Sequence, residues 1–381
     1  MIYLDNAATT QVCREAADAA YEMMTETFGN PSSTHQAGRA AQTALKKARK
    51  QVADALGCMP EDLYFTSCGS EADNWAILRG AESMSRKGRH IISSTVEHDA
   101  VRKSLDELER LGYTVTRLHP DSTGAIPVQA VENALQPDTV LVSLMLVNNE
   151  TGAITDIAGI ARLLKDAGSS ALLHTDAVQG FLKVPFQAKT LGADMISISG
   201  HKIHAPKGIG ALYIRRGMRP VSKLLPYLMG GAQENGMRAG TEAMPQIAAF
   251  GAAAELGRKQ QASAAAHMQS LRDRAVEQLT RQLPEVQVIG GGAPHILSLS
   301  LPGYRSEVLM NFLDQRGICV SRSSACKQGR RSHVLEAMGL EPKVIDGALR
   351  VSFSRYTTPE EVDALCDGLL EASRSLFTVL G

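Results

Sequence analysis

The chain has 381 residues, 44 % hydrophobic and 21 % charged, which is enough for a large α/β unit with a smaller unit appended. Forty basic residues balance forty acidic ones and 4 % of the chain is aromatic, which argues against a nucleic-acid footprint, a polybasic membrane patch and base-stacking platforms. The start, Met1 to Asn6, carries no basic-then-apolar leader pattern. No apolar run reaches the roughly 18 residues that span a bilayer. The expectation is a cytoplasmic protein with no membrane or direct nucleic-acid partner. Six cysteines (13, 58, 68, 319, 326 and 366) form no CxxC pair, against a disulfide framework or structural zinc, so no metal is expected. One cysteine is left as a candidate for catalysis.

In chain order, Arg14 to Thr27 reads as a helix that stops at Phe28-Gly29-Asn30-Pro31-Ser32-Ser33, and residues 36–56 resume helical periodicity. A strand Leu63 to Thr66 leads into Gly69-Ser70 and a helix through about Ser85. Further strands are expected at His90 to Ser94, Val115 to Leu118, Val140 to Leu146, Leu172 to Thr175, Met195 to Ser199 and Ala211 to Ile214. Helices at 98–110, 128–135 and 156–167 separate several of these, and the alternation implies a mainly parallel seven-stranded sheet flanked by helices. Beyond it come a long helix over 244–282, strands at 286–289 and 296–301, a helix at 305–315, a loop at 321–331, a strand at 348–353 and a last helix from Pro359. That is a smaller α+β texture. We expect residues 15–257 to form the large unit, and 1–14 with 258–381 the small one.

Polar clusters lie just past strand ends, where open α/β sheets bind ligands. In Ser199-Gly200-His201-Lys202, a lysine turns out of a buried strand and is placed to form a Schiff base with an aldehyde cofactor; the plainer alternative is a surface lysine. Asp176 ends another apolar strand, where an unpaired carboxylate is costly unless a cation such as a pyridinium nitrogen meets it. Gln179 follows within reach of such a ring's hydroxyl. Gly69-Ser70 opens a helix and suits a phosphate, although most such turns are ordinary caps. His98 is either a helix cap or a ring-stacking proton carrier. Asn148-Asn149 is either a common turn or a carboxylate contact.

Together with Tyr3-Leu4-Asp5-Asn6-Ala7-Ala8-Thr9-Thr10, Gly29-Asn30-Pro31-Ser32-Ser33 and Asn149-Glu150-Thr151-Gly152, these segments resemble the cysteine desulfurases of NifS/IscS type. That group lies in the class V branch of the fold-type-I transferases that use pyridoxal 5'-phosphate. The resemblance runs the length of the chain. It implies that Lys202 is the Schiff-base lysine, Asp176 the pyridinium partner, His98 the stacking residue and proton carrier, and Gln179 the partner of the phenolic oxygen. It implies Gly69, Ser70, Ser199 and His201 at the phosphate, and Asn149 at both cofactor and substrate carboxylate. Thr241 would reach the phosphate of the other subunit, in a homodimer with shared active sites.

Arg350, on a semi-buried strand, is implied as the carboxylate clamp, a role that suits its planar fork. Cys326, in Ser323-Ser324-Ala325-Cys326, is implied as the nucleophile that takes sulfur from L-cysteine as a persulfide; Lys327, Arg330 and Arg331 nearby favour its thiolate. The sulfur would pass to an acceptor protein, an iron–sulfur scaffold or a thiolation enzyme. Arg322-Ser323 and the short basic stretch after Cys326 depart from the usual pattern, as does Ser67-Cys68-Gly69-Ser70, in which Cys68 is read as a small-residue replacement. Alternatives are a selenocysteine lyase, another class V aminotransferase, or a partner-dependent sulfur relay with weak activity of its own.

Overall fold

The computed structural model describes residues 1–215, 224–322 and 331–378. Its strands in chain order are β1 (Ile2–Tyr3), β2 (Leu63–Thr66), β3 (His90–Ser94), β4 (Thr114–Leu118), β5 (Thr139–Ser143), β6 (Leu172–Asp176), β7 (Met195–Ser199), β8 (Gly210–Ile214), β9 (Gln287–Ile289), β10 (Ile296–Ser300), β11 (Ile318–Cys319), β12 (Ser321–Arg322) and β13 (Ala348–Ser352). Seven of them form one sheet in the order β2-β8-β7-β6-β5-β3-β4. The pairs among β3 to β7 are parallel, whereas β8 runs antiparallel to both β7 and β2. The expected seven-stranded, mainly parallel sheet is present. Its one reversed strand follows from the short connection after Lys202, which leaves no room for a crossover helix.

Consecutive side chains point to opposite faces of a strand. Ile92, Val142, Leu173 and Ile196 accordingly enter one apolar core, and their neighbours Ile91, Leu141, Leu172 and Met195 enter another. Because both faces are covered, β3, β5, β6 and β7 are buried at every position. A four-stranded antiparallel sheet, β12-β13-β10-β9, backs a separate core that includes Leu297, Leu299, Leu349 and Val351. The helix Met244–Gln282 serves both: Phe250 and Ala253 pack into the first core, and Met268, Leu271 and Leu279 into the one beneath the small sheet.

Two local departures from the sequence reading have clear causes. The stretch read as one helix through Ser85 is interrupted by a π-helical segment, Trp75–Arg79. Trp75 is fully buried there, edge-on to Tyr64 and stacked on Tyr227, with its indole N–H donating to the Leu225 carbonyl at 3.1 Å. The first residues, to which the sequence reading assigns no element, pair β1 in parallel with β11 in a separate two-stranded sheet.

Candidate active site

The carboxyl ends of β3, β5, β6 and β7 lie along one edge of the large sheet, and β2, parallel in direction to β7, ends there too. Lys202 closes the single 3₁₀ turn Gly200–Lys202 after β7. A Cβ on Gly200 would sit 2.7 Å from Ile209 Cγ2, so the turn can be this tight only at glycine. Lys202 Nζ donates to the carbonyls of Ala7 at 2.6 Å and Ala8 at 2.8 Å. Asp176, 7 % exposed at the end of β6, accepts from the Val178 N–H at 2.9 Å. Burial raises its pKa, and the charges of His98 and Lys202 pull against that rise.

His98 fills the helix-cap role weighed for its position. It caps the helix Asp99–Arg110, its Nδ1 accepting from Ala100 N at 3.1 Å, and its ring is exposed at the same edge. Gln179 is buried, with Nε2 donating to the Ala7 carbonyl at 2.8 Å.

Gly69 begins the short helix after β2 and faces Val178 and Ser199; a Cβ there would lie 2.7 Å from Val178 Cγ2 and 3.4 Å from Ser199 Cβ. Ser70 is exposed beside it. The hydroxyls of Ser199 and Thr175 are buried with no hydrogen-bond partner among the described residues. His201 Nδ1 is 3.2 Å from Thr9 Oγ1, and burial together with Lys202 and Lys207 lowers its pKa to about 4. The ring is therefore neutral near pH 7. Thr241 is exposed on the segment preceding the long helix.

The opening segment Leu4–Thr10 has a function that its sequence did not reveal: it straps the small sheet to the lysine turn. Asp5 bridges to Ser352, Ala7 N donates to Ser352 Oγ at 2.8 Å, and Thr10 N donates to the His201 carbonyl at 2.9 Å. Arg350 is 3 % exposed, more buried than its semi-buried expectation. Its guanidinium donates to Asp5 Oδ1 and to the Asn149 carbonyl, both at 2.9 Å, while its Nε has no partner among the described residues. Asn149 thus meets Arg350 through its backbone. Next to it, the buried Glu150 accepts from Ser332 Oγ, and burial raises its pKa to about 7. Cys326 lies outside the described residues.

A layer of buried acid and imidazole behind Asp176 escaped the sequence reading. His174 bridges Ser143 Oγ and Ser197 Oγ, each at 2.9 Å, and burial lowers its pKa to about 3. Asp73 Oδ1 is 3.6 Å from that ring, and burial with the neighbouring Asp176 pushes its pKa well up. Glu97 accepts from Ser94 Oγ at 2.6 Å and Met145 N at 3.2 Å, and burial raises its pKa to about 8. A signal was present: polar residues interrupt otherwise apolar buried strands at Ser143, His174 and Ser197.

The chain matches the family model described as aminotransferase class-V over residues 2–365. It is 45 % identical to cysteine desulfurase 2 of Trichormus variabilis, covering 95 % of this chain and 90 % of the relative. It is 40 % identical to cysteine desulfurase IscS of Methanosarcina thermophila, covering 98 % and 92 %. Among solved structures, a NifS-like protein superposes with a TM-score of 0.92 at 36 % identity, covering 98 % of this chain and all of that one. DndA from Streptomyces lividans superposes with a TM-score of 0.77 at 39 % identity, covering 92 % and 99 %.

Proposed function

Because the chain belongs to the class-V aminotransferase family, whose members depend on pyridoxal 5'-phosphate, we propose that it is a cysteine desulfurase, converting L-cysteine to L-alanine and handing the sulfur to Cys326. The observation that carries this reading is the pairing, on one sheet edge, of a lysine turn with a buried carboxylate at the next strand end. The residues there fit the cofactor. A buried carboxylate calls for a cation, which a pyridinium nitrogen supplies. The unpartnered Ser199 hydroxyl beside Gly69, a position closed to any Cβ, suits a phosphate.

When bound, the cofactor supplies an electron sink for negative charge at the substrate α-carbon. Lys202 Nζ is the amine that would hold it and the base that then takes the α-proton. Asp176 keeps the ring nitrogen cationic, His98 is assigned to the ring face and to proton transfer, and Gln179 to the phenolic oxygen. Gly69, Ser70, Ser199 and His201 are assigned to the phosphate, with Thr241 serving the other subunit of a homodimer.

Arg350 and Asn149 orient the substrate carboxylate. With Arg350 already paired to Asp5, an incoming carboxylate exchanges for or joins a partner of like charge, which costs less than leaving the fork buried and bare. Cys326, as thiolate, attacks the substrate sulfur; the carbon–sulfur bond breaks, and the carbon fragment takes up a proton to leave as alanine. The sulfur then goes to an acceptor protein, an iron–sulfur scaffold or a thiolation enzyme.

The division into 15–257 and 1–14 with 258–381 belongs to the same reading, supported by the separate apolar cores served by the long helix. So does a cytoplasmic location, which suits the five described cysteines, all free. No helix among the described residues is long and apolar enough to cross a membrane. Borohydride treatment of the cofactor-loaded protein, followed by peptide mass analysis, tests the site: the cofactor's mass is expected on the peptide containing Lys202. Its recovery on another lysine would overturn the assignment.

A further inference from the structure

A second cluster of buried ionisable groups lies at the junction of the two cores, and nothing in the proposed reaction uses it. Lys183 follows the Asp176 turn, His204 lies two residues past Lys202, and Arg355 lies just beyond β13. All three line one cavity, together with Ala264 and Met268 of the long helix. No carboxylate lines it, and neither Lys183 nor Arg355 forms an ion pair among the described residues.

Lys183 is 7 % exposed and His204 is 3 % exposed, and Nε and one terminal nitrogen of Arg355, whose guanidinium carbon lies 5.1 Å from the Tyr356 ring centroid, are buried without hydrogen-bond partners. The Nδ1–H of His204 donates to the Gln11 carbonyl at 2.9 Å, which leaves its buried Nε2 unpartnered. Leu182 and His204, both at the cavity, are two of the four described non-glycine residues with positive φ, at 59° and 70°. Such backbone persists only where surrounding contacts impose it.

Burying like charges together without a counter-charge is strongly unfavourable. Burial, Arg355 and Lys202 together push Lys183 down to about 7, and burial followed by Lys183 and Arg355 pushes His204 down to about 3. About 20 Å³ is open to the centre of a water-sized occupant, which is room for roughly one such particle. We infer that this cavity binds one small monovalent anion of halide size, held by Lys183, His204 and Arg355, and that the anion offsets part of the positive charge at the junction between the large and small cores.

With the anion in place, Lys183 keeps its proton, and His204 takes up a second proton from solvent at Nε2 and donates it to the anion as an imidazolium. The loop leaving Asp176, the residues following Lys202 and the segment after β13 then share one counter-charge. Room for roughly one water-sized particle favours a monatomic anion over a bulky one such as gluconate.

The test uses the full-length, cofactor-loaded protein. Thermal unfolding is followed while sodium chloride or bromide replaces sodium gluconate at fixed ionic strength. A saturable rise in Tm of about 2 °C is expected with either halide, and none in Lys183→Met. Should that variant fail to fold, Arg355→Gln or the cavity-filling Ala264→Leu takes its place with the same expectation. A crystal grown in bromide should show an anomalous peak in the cavity. Identical Tm values in halide and gluconate, an undiminished rise in the variants, or water alone in the bromide crystal would overturn the proposal.

Discussion

Behind the end of β6 the buried ionisable groups are, beside the neutral His174, three acids, Asp73, Glu97 and Asp176, and burial moves each of the acids' pKa values up. At the junction of the two cores they are bases, Lys183 and His204, and burial moves both of theirs down. Lys202 exerts its charge on both sets. The same physics thus acts with opposite sign on two sides of one lysine. Each set names the charge it lacks: a cation for the acids, which the cofactor ring supplies, and an anion for the bases. Buried groups that are unpaired in the protein alone describe what the protein binds.

The largest effect bears on the acid side. Lys202→Ala removes the cofactor's amine anchor and the α-proton base, and alanine formation should fall by at least about 10²–10⁴-fold. Retention of near-normal turnover would detach the lysine turn from the chemistry. Asp176→Asn sharpens the comparison, because its effect should reverse sign with occupancy. Without cofactor the variant should melt higher than wild type, being relieved of a buried carboxylate. With cofactor it should melt lower and hold the cofactor roughly 10–100-fold more weakly, from the loss of a charged partner. A uniform change in both states would mean that Asp176 meets no cation.

Arg350→Lys keeps the charge and loses the fork. It should raise the KM for cysteine by about tenfold while leaving cofactor affinity intact, as steady-state kinetics and cofactor titration would show. A loss of cofactor instead would reassign Arg350 to holding the strap through Asp5.

The smallest effect is a slope. Glu97 has a folded pKa of about 8 against an ordinary value of 4.5, so the folded state binds the extra proton between those values, and stability from this group falls as pH rises through that window. His174 and His204, lowered to about 3, add stability as pH rises toward 6.5, and Lys183, lowered to about 7, adds it above 7. These opposing contributions are common to wild type and Glu97→Gln, in which the amide keeps the acceptor for Ser94 and Met145. Between pH 6.5 and 8, wild type should lose about 2 kcal/mol relative to the variant, measurable by denaturant titration. Parallel curves would place the Glu97 proton elsewhere.

Much of the fold could be read in the sequence because its elements announce themselves locally. The helix over 36–56 ends at Gly57 in the left-handed region, and the run over 244–282 is helical throughout. The strands that end at Ser94, Asp176 and Ser199 are largely apolar runs closed by polar turns, so His98 and Lys202 read as residues just past strand ends, while their roles rest on the family resemblance. What escaped depends on contacts between residues far apart in the chain. β1 has two residues, too few for any period, and exists because Ile318 and Cys319 lie alongside it. Lys183, His204 and Arg355 each look like ordinary surface residues until folding encloses them in one cavity. Asp73 sits in a short helical stretch whose pattern does not distinguish a buried acid from an exposed one.

The most direct test of the proposed function is anaerobic product analysis of the cofactor-loaded chain with L-cysteine and a thiol reductant. Equal amounts of alanine and sulfide are expected, with both lost in Cys326→Ala while cofactor binding is retained. A keto acid in place of alanine, or sulfide release undiminished in Cys326→Ala, would contradict it.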